Sequence, residues 1–285
     1  MEELRLIAAI RGMNTPRRRD PGLVAGIGDD CAIVRMRAGE DLLLTADLVI
    51  EDVHFRRRTH TAADVGWKAL ARGLSDIAAM GGEARYALVS LALPEWAGGR
   101  YVRGLYEGLN ELGGRHGVAV IGGDVSRSAK LTLDVVVAGA APRGQALRRK
   151  GAKAGDVIYV SGALGHAAVS GYRERPEPRL GLGRKLRGRA SACMDLSDGL
   201  AMDLHRLCVE SKVTAELDGV LPAAPGATLE QALSGGEDYE LLCTVPAGVK
   251  APAGFTRVGV MKAGRPGEVR FAGMKLGAGG WDPFR

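Results

Sequence analysis

The chain has 285 residues, and its 39 basic and 33 acidic side chains give a formal net charge of +6. Hydrophobic residues make up 46% and charged residues 25%, which is typical of a folded globular protein and excludes disorder throughout the chain. The 42 glycines are about twice the usual share and follow apolar runs, beside a second glycine or an aspartate, so we expect the loops to carry the function.

No segment of the sequence is typical of a membrane protein or of a secreted one. The apolar stretches are shorter than the roughly 20 residues of a membrane span, and residues 1–5 lack the basic and apolar regions of a signal peptide. The cysteines are far apart and form no CxxC pair, which argues against a disulfide framework or a zinc site. They are Cys31, Cys193, Cys208 and Cys243. We therefore expect reduced thiols in the core and a cytoplasmic protein with no membrane partner.

Predicted strands and helices alternate in the first half of the chain. Residues 31–36 and 42–48 flank a turn at Ala38-Gly39-Glu40 and predict a β-hairpin. Residues 61–80 predict a helix, because apolar side chains recur at three- and four-residue spacing between Thr61, a candidate N-cap, and two glycines that would end it. Further along we predict strands at 88–93, 118–121 and 131–141, and a helix at about 100–112.

The second half is separated from the first by a segment without periodicity. Residues 142–155 are basic and contain glycine, which predicts a linker between a domain at 1–141 and a domain at 156–285. The segment 173–189 is rich in Arg, Pro and Gly, and we expect it on the surface. Strands are predicted at 157–161, 241–245 and 255–261, and a helix at 197–211. The pattern indicates an α/β (α+β) protein of two domains.

Acidic residues fall at the ends of apolar segments along the whole chain. Carboxylates that converge raise one another's pKa and need cations to stay ionised together. Oxygen ligands without a Cys or His cluster select hard ions such as Mg²⁺ or Ca²⁺, and Mg²⁺ usually accompanies substrate phosphates. The residues concerned are Asp29, Asp30, Asp47, Asp76, Asp124, Asp195, Asp198, Glu237 and Asp238. We predict that they meet at one edge of a packed domain; the alternative is that each is an ordinary turn or N-cap residue, as Asp198 before Gly199 would be.

Several common catalytic motifs are absent from the sequence. It contains no GxxxxGK[ST], no GxGxxG that opens a helix, no protein-kinase HRD and DFG set, and no GxSxG or HExxH. Its basic runs at 17–19, 56–58 and 148–150 are short and aromatic residues make up only 5%, so we expect no nucleic-acid partner. Arginine suits a phosphorylated small molecule equally well. The residues alone therefore predict metal-dependent phosphate chemistry and go no further.

Six strings occur in the order in which one enzyme family has them. GDD and GGD alone indicate only a superfamily, whereas HF, MDLSDGL and SGGEDYELL narrow the match to one family within it. The strings are GIGDDCA (26–32), HF (54–55), LSDIAAMG (74–81), GGD (122–124), MDLSDGL (194–200) and SGGEDYELL (234–242). Over nearly the whole chain they resemble the thiamine-monophosphate kinase family, which shares a superfamily with aminoimidazole ribonucleotide synthetase, selenophosphate synthetase and HypE.

The resemblance implies an activity, a fold and an assembly. The activity is ATP-dependent phosphorylation of thiamine monophosphate to thiamine diphosphate, by direct in-line transfer assisted by several Mg²⁺ ions. The fold is the two-domain aminoimidazole-ribonucleotide-synthetase-like fold, with an N-terminal mixed sheet and a C-terminal α/β domain. The assembly is a homodimer whose N-terminal sheets pair, with ATP in a groove near that interface.

The resemblance also implies roles for individual residues. It places metal ligands at Asp30, Thr45, Asp47, Asp76, Asp124, Asp195 and Asp198, nucleotide contacts at Gly123, Asp124, Arg149 and Ser197, and thiamine phosphate contacts at His54, Glu237 and Trp281. No catalytic base is implied, because the attacking phosphate oxygen is already anionic. Most of the catalysis comes from positioning the reactants and neutralising their charge. Ala46 and Val125 stand where the family commonly has threonine, and residues 115–116 replace an aromatic residue near the nucleotide.

Two other functions remain open at this point. A different ATP-dependent synthetase of the superfamily would activate a carbonyl or amide oxygen. A non-catalytic nucleotide-binding protein would keep the fold but lose several of the metal-site aspartates. Individual residues also have structural interpretations: His54 as a histidine at a strand end, Trp281 as a cap on the core and Lys68 as a solvated lysine.

Overall fold

The chain folds into two compact units. The structure, a computed structural model, describes residues 3–14, 22–27, 31–277 and 279–281. The first unit comprises Met1–Ile77 and Glu83–Arg143, and the second comprises Ala78–Gly82 and Gly144–Arg285. Within the described ranges, no helix is long and apolar enough to cross a membrane.

The first unit contains a four-stranded mixed sheet. Its strands lie in the order β3-β6-β4-β5, with β4 and β5 parallel and the other neighbours antiparallel. The elements are α1 (Glu3–Met13), β1 (Leu23–Ala25), β2 (Ile33–Val34), β3 (Glu40–Ile50), α2 (Ala62–Ala79), β4 (Glu83–Leu93), α3 (Gly99–His116), β5 (Ala119–Arg127) and β6 (Thr132–Pro142). The mixed N-terminal sheet predicted above is confirmed.

The predicted hairpin at 31–48 does not form. β2 pairs with β1, and β3 pairs instead with β6 in an antiparallel ladder that runs from Glu40 opposite Pro142 to Ile50 opposite Thr132. Both β3 and β6 have 11 residues, whereas β2 has only two. The distant strand therefore pairs with β3 along its full length, which the two-residue β2 cannot do.

Helix α2 matches the prediction for residues 61–80. The hydroxyl of Thr61 accepts a hydrogen bond from the backbone N–H of Asp64, while the carboxylate of Asp64 accepts one from the backbone N–H of Thr61. Gly81, at φ +66°, follows the last turn and ends the helix. The prediction that Lys68 is solvated is wrong: the residue is 3% exposed, and its Nζ lies 3.3 Å from the carbonyl oxygen of His54, to which it donates.

Helices α2 and α3 approach one another backbone to backbone. A Cβ atom at Gly66 would lie 1.9 Å from the carbonyl oxygen of Leu105, and one at Gly108 would lie 1.9 Å from that of Ala63. Both helices bury leucines under the sheet, among them Leu70 and Leu109. The absence of side chains at these two glycines is what allows the close packing.

The second unit is built on a seven-stranded sheet. The strand order is β13-β12-β9-β11-β7-β10-β8; β9 pairs with β12 in parallel, and β10 pairs antiparallel with both β7 and β8. The elements are β7 (Val157–Ser161), α4 (His166–Val169), α5 (Leu180–Leu186), β8 (Ala192–Leu196), α6 (Leu200–Ser211), β9 (Thr214–Leu217), α7 (Leu229–Ser234), β10 (Glu240–Val245), β11 (Phe255–Lys262), β12 (Val269–Phe271) and β13 (Met274–Lys275). One face of this sheet and helix α6 enclose the core of the unit.

Two segments differ from their predicted roles. Residues 144–155, predicted as part of a linker, belong to the second unit, where Leu147 is buried and the carbonyl oxygen of Arg148 accepts a hydrogen bond from the N–H of Cys193. Residues 173–189, expected on the surface, include helix α5, whose Leu180 and Leu186 are buried. In both segments a few apolar residues among many basic ones provide the anchor.

The four cysteines are free thiols, as predicted, but they do not all lie in the core. Cys193, Cys208 and Cys243 are buried, and burial raises the pKa of each thiol. Cys31 is exposed, because the strand predicted around it is reduced to Ile33–Val34.

Substitution of Gly108 by alanine is expected to destabilise the first unit. The new methyl group would overlap the carbonyl oxygen of Ala63 and push the two helices apart, at a cost of about 2–3 kcal/mol. Gly114→Ala in the same helix is the matched control, because no atom lies within 4 Å of a Cβ at that position. It should instead stabilise by about 0.5–1 kcal/mol. Urea unfolding of both variants measures the difference, and equal midpoints would contradict the packing described here.

Candidate functional site

A cluster of oxygen ligands forms in the first unit where β3 meets α2. Thr45 and Asp47 lie two residues apart on β3 and therefore on the same face of the sheet. Asp76 reaches them from α2: the hydroxyl of Thr45 donates to Oδ2 of Asp76, and the charge of Asp76 acts on the nearby carboxylate of Asp47. Arg72, one turn earlier on α2, places its Nε 3.4 Å from Oδ1 of Asp47. The structure thus unites three of the predicted metal ligands.

The charges in this cluster favour a hard cation. Burial raises the pKa of Asp47; the charge of Arg72 opposes this shift, and the neighbouring carboxylate of Asp76 adds to it. Two carboxylates and a hydroxyl provide only oxygen donors, as Mg²⁺ requires. The donor set therefore fits that ion in kind. It is incomplete in number, because no group of three His, Cys, Asp or Glu side chains in the described ranges is arranged to hold a metal. Asp29 and Asp30, predicted beside this cluster, lie outside the described residues.

The predicted nucleotide contact at Gly123 and Asp124 lies inside a strand. β5 continues to Arg127, whereas the sequence predicted its end at residue 121. A Cβ atom at Gly123, which has φ +148°, would lie 1.9 Å from the carbonyl oxygen of Val89, so glycine is required there. Asp124 lies on β5, which β6 and β4 separate from β3, the strand of Asp47.

His54 has a defined tautomer in its neutral form. The backbone N–H of Ile50 donates to Nδ1 of His54 over 3.1 Å, so Nε2 carries the proton. The carbonyl oxygen of the same residue accepts from the buried Lys68. The half-buried ring and the main chain of His54 are thereby held in place.

In the second unit, Asp198 is held by two residues of the following helix. Its backbone N–H donates to Oδ2 of Asp203 over 3.0 Å, and its carboxylate forms an ion pair with Arg206. Arg206 also contacts Oδ1 of Asp203, at 3.2 Å. The interpretation of Asp198 as an N-cap is wrong: Gly199, at φ +105°, takes that position and no side chain caps the helix.

The turn between β8 and α6 also holds two of the predicted substrate contacts. The carbonyl oxygen of Ser197 accepts a hydrogen bond from the N–H of Glu237, over 2.8 Å. The next carbonyl, that of Asp198, accepts from the N–H of Trp281 over 3.0 Å. Residues from two distant segments are thus fixed to two consecutive peptide groups of the turn. Trp281 is half exposed, so it does not act as a cap on the core.

Asp195 and Arg149 lie in the same unit. Asp195 is buried on β8, opposite Leu241 of β10. The carbonyl oxygen of Arg149 accepts a hydrogen bond from the hydroxyl of Ser211, which fixes the exposed residue at the end of α6. Of the acidic residues predicted to meet, Asp47, Asp76 and Asp124 belong to the first unit, and Asp195, Asp198, Glu237 and Asp238 belong to the second.

Asp203 and Arg206 were missed by the sequence reasoning. Asp203 is fully buried; burial raises its pKa to about 7, against the opposing effects of the Asp198 N–H, Arg206 and Arg149. The signal was present in the pattern: Asp203 follows Leu200 by three residues and thus lies on the apolar face of the predicted helix. A carboxylate on a core-facing position requires partners, and those partners are Arg206 and the backbone of Asp198.

The GGEDYEL segment is anchored by its second acidic residue. The carboxylate of Asp238 accepts hydrogen bonds from the N–H groups of Gly165 and Ala167, over 2.6 and 3.0 Å. Glu237 and Tyr239 on either side adopt φ values of +65° and +49°, which the anchoring maintains. Burial raises the pKa of Asp238, and the two backbone donors oppose the rise.

Asp238→Asn is expected to weaken the second unit by about 1–3 kcal/mol. The amide offers one acceptor and one donor, so an N–H group of residue 165 or 167 would face another N–H. Glu230→Gln, on the exposed face of α7, is the matched control and should change stability by less than about 0.5 kcal/mol. Thermal unfolding followed by circular dichroism distinguishes the two. A wild-type melting temperature for Asp238→Asn would contradict the anchoring role.

Comparison with known proteins places these residues in a wider group. Residues 28–141 match the family model described as AIR synthase related protein, N-terminal domain. The thiamine-monophosphate kinase of Bacillus subtilis is 37% identical over 86% of this chain and 84% of its own length.

Two solved structures are similar over almost the whole chain. The thiamine-monophosphate kinase of Stenotrophomonas maltophilia superposes with a TM-score of 0.83 at 36% identity, covering 97% of this chain and 98% of that one. A structure described as AaThiL complexed with AMPPCP and TMP gives a TM-score of 0.80 at 33% identity, covering 99% and 97%.

Proposed function

The chain belongs to the thiamine-monophosphate kinase family, and we propose that it transfers the terminal phosphoryl group of ATP to thiamine monophosphate, forming thiamine diphosphate. One observation carries the proposal. The turn at 197–198 carries the carboxylate of Asp198, and its two carbonyl oxygens bind the N–H groups of Glu237 and of the half-exposed Trp281. A related structure that binds both AMPPCP and TMP aligns over nearly the whole chain and supports this assignment.

The chain's own residues bind and orient two anionic reactants. The attacking oxygen belongs to a phosphate that is already anionic, so no base is needed, and the barrier lies in bringing two polyanions into line. We assign Arg149 to the nucleotide phosphates, where its guanidinium supplies positive charge. Ser197 and the backbone at Gly123 are assigned to the nucleotide as well.

We propose that the oxygen clusters hold Mg²⁺ ions. Asp47, Asp76 and Thr45 would hold one ion, whose chemistry is to neutralise the phosphate charge. Asp124, on β5, is assigned to a cation as well. Asp195 and Asp198 in the second unit, and Asp30, are assigned to further ions.

Three residues are assigned to the thiamine phosphate. Its thiazolium ring is a cation, which the carboxylate of Glu237 attracts and an aromatic face such as that of Trp281 can stack against. The Nε2–H of His54 is a donor suited to a phosphate oxygen.

We propose that the protein is a homodimer formed through the sheet of the first unit. One face of that sheet packs against the helices, and the other carries large apolar side chains that remain exposed. These are Leu42, Leu44, Leu48 and Leu88. Such a patch on a sheet face is typical of an interface between subunits.

The first test of the proposed function is product formation. Purified protein with ATP and Mg²⁺ should convert thiamine monophosphate, but not free thiamine, to thiamine diphosphate, detected as fluorescent thiochrome diphosphate. No product from folded protein that binds ATP would favour another synthetase of the superfamily or a binding protein.

Asp47→Asn should lower turnover at least about 100-fold, because it removes a charge worth several kcal/mol to the transition state. The fold should remain intact, since Asp47 and Asp76 repel one another when no cation is bound. Asp52→Asn is the control: its exposed carboxylate pairs with Lys130 and should not affect turnover. Near-normal turnover of Asp47→Asn at saturating Mg²⁺ would remove it from the ligand set.

Leu44→Glu should convert the dimer to monomers. Leu44 is 64% exposed at the centre of the apolar face, where a buried carboxylate would have no partner. Val220→Glu, at a site 82% exposed in the second unit, should leave the mass unchanged. Sedimentation equilibrium gives both masses, and a wild-type monomer would refute the assembly itself.

A further inference from the structure

We propose that Arg206 is an exchangeable counter-ion for Asp198, and that Asp203 is the residue that retains it. Without a cation, Arg206 neutralises the carboxylate of Asp198. When a divalent cation binds Asp198, Arg206 gives up that carboxylate and stays paired with Asp203. This inference rests on the proposed role of Asp198 as a metal ligand.

The geometry shows one guanidinium shared between two carboxylates. Nη1 of Arg206 contacts Oδ2 of Asp198 and lies 3.2 Å from Oδ1 of Asp203. The two acids thus compete for the same nitrogen. Because Arg206 contacts both at once, it can release one carboxylate and keep the other as its ionic partner.

Asp203 differs from Asp198 in its environment. Its side chain is completely buried, whereas that of Asp198 is 21% exposed. Breaking the pair with Asp203 would leave an unpaired buried charge, whereas water can replace Arg206 at the more exposed Asp198. Its other oxygen, Oδ2, accepts the backbone N–H of Asp198 and keeps the ligand's main chain in place during the exchange.

The charges explain why an exchange is needed. When both carboxylates are ionised, one arginine leaves the group with excess negative charge, and Arg149 contributes a further positive charge from nearby. A divalent cation at Asp198 repels Arg206 at short range. Without Asp203, the displaced guanidinium would return to Asp198 and compete with the cation.

The proposal predicts opposite effects for two substitutions. Asp203→Asn keeps an acceptor for the Asp198 N–H but loses the charge that retains Arg206, so divalent-cation affinity should fall about 10-fold. Arg206→Met removes the competitor, so affinity should rise about 5-fold. In the double variant, the added Asp203→Asn substitution should lower divalent-cation affinity less than about 2-fold relative to Arg206→Met alone, because no arginine remains for Asp203 to retain.

Binding of Mn²⁺ to the full chain, followed by electron paramagnetic resonance, measures these affinities without enzyme activity. The class of sites lost in Asp198→Asn identifies the relevant isotherm. Asp156→Asn is the matched control, because this buried carboxylate accepts the N–H of Lys153 and a serine hydroxyl but pairs with no arginine; it should leave the isotherm unchanged.

Additive effects in the double variant would overturn the proposal, since they would show two independent charges acting through space. If Asp203→Asn does not fold, Arg206→Met decides alone: its side chain is 37% exposed, and unchanged or weaker binding would count against the exchange. The kinase assay is separate. Wild-type protein that shows the predicted Mn²⁺ behaviour without forming thiamine diphosphate would refute the proposed function and leave this inference standing.

Discussion

Two consecutive peptide carbonyls organise the functional residues of the second unit. The carbonyl oxygens of Ser197 and Asp198 accept the N–H groups of Glu237 and Trp281, which come from distant parts of the chain. Main-chain bonds fix positions more rigidly than contacts between flexible side chains do. The main chain thus fixes these residues independently of the contacts that their side chains make. The buried strand β8 leading into the turn supplies the rigid base.

In both units, an arginine of the adjacent helix lies beside an aspartate that we assign to a cation. Each holds a partly buried aspartate assigned to a cation, and in each an arginine from the adjacent helix faces that aspartate: Arg72 faces Asp47, and Arg206 faces Asp198. Carboxylates in such surroundings need a counter-charge in order to stay ionised. The arginines place a positive charge beside each of these two carboxylates, which we assign to cations.

The sequence predicted those features that depend on local pattern. Helix α2, with Thr61 and Gly81 at its ends, follows from periodicity and capping, and the ordered motifs identified the family. The hairpin failed because the choice of partner for β3 depends on β6, a strand far along the chain that alternation of apolar residues cannot specify. Lys68 and Asp203 were misjudged or missed for a related reason: their burial depends on partners that only the folded chain provides.

The tight packing at Gly123 has a consequence for nucleotide selectivity. A side chain there would overlap the carbonyl oxygen of Val89, so no single substitution of this glycine fits the strand pairing. The nucleotide contact that we assign to it is therefore a main-chain contact, which suits a phosphate and carries no information about the base. Discrimination between adenine and guanine nucleotides must then arise from side chains elsewhere, and those positions can diverge among relatives while the phosphate contact stays fixed.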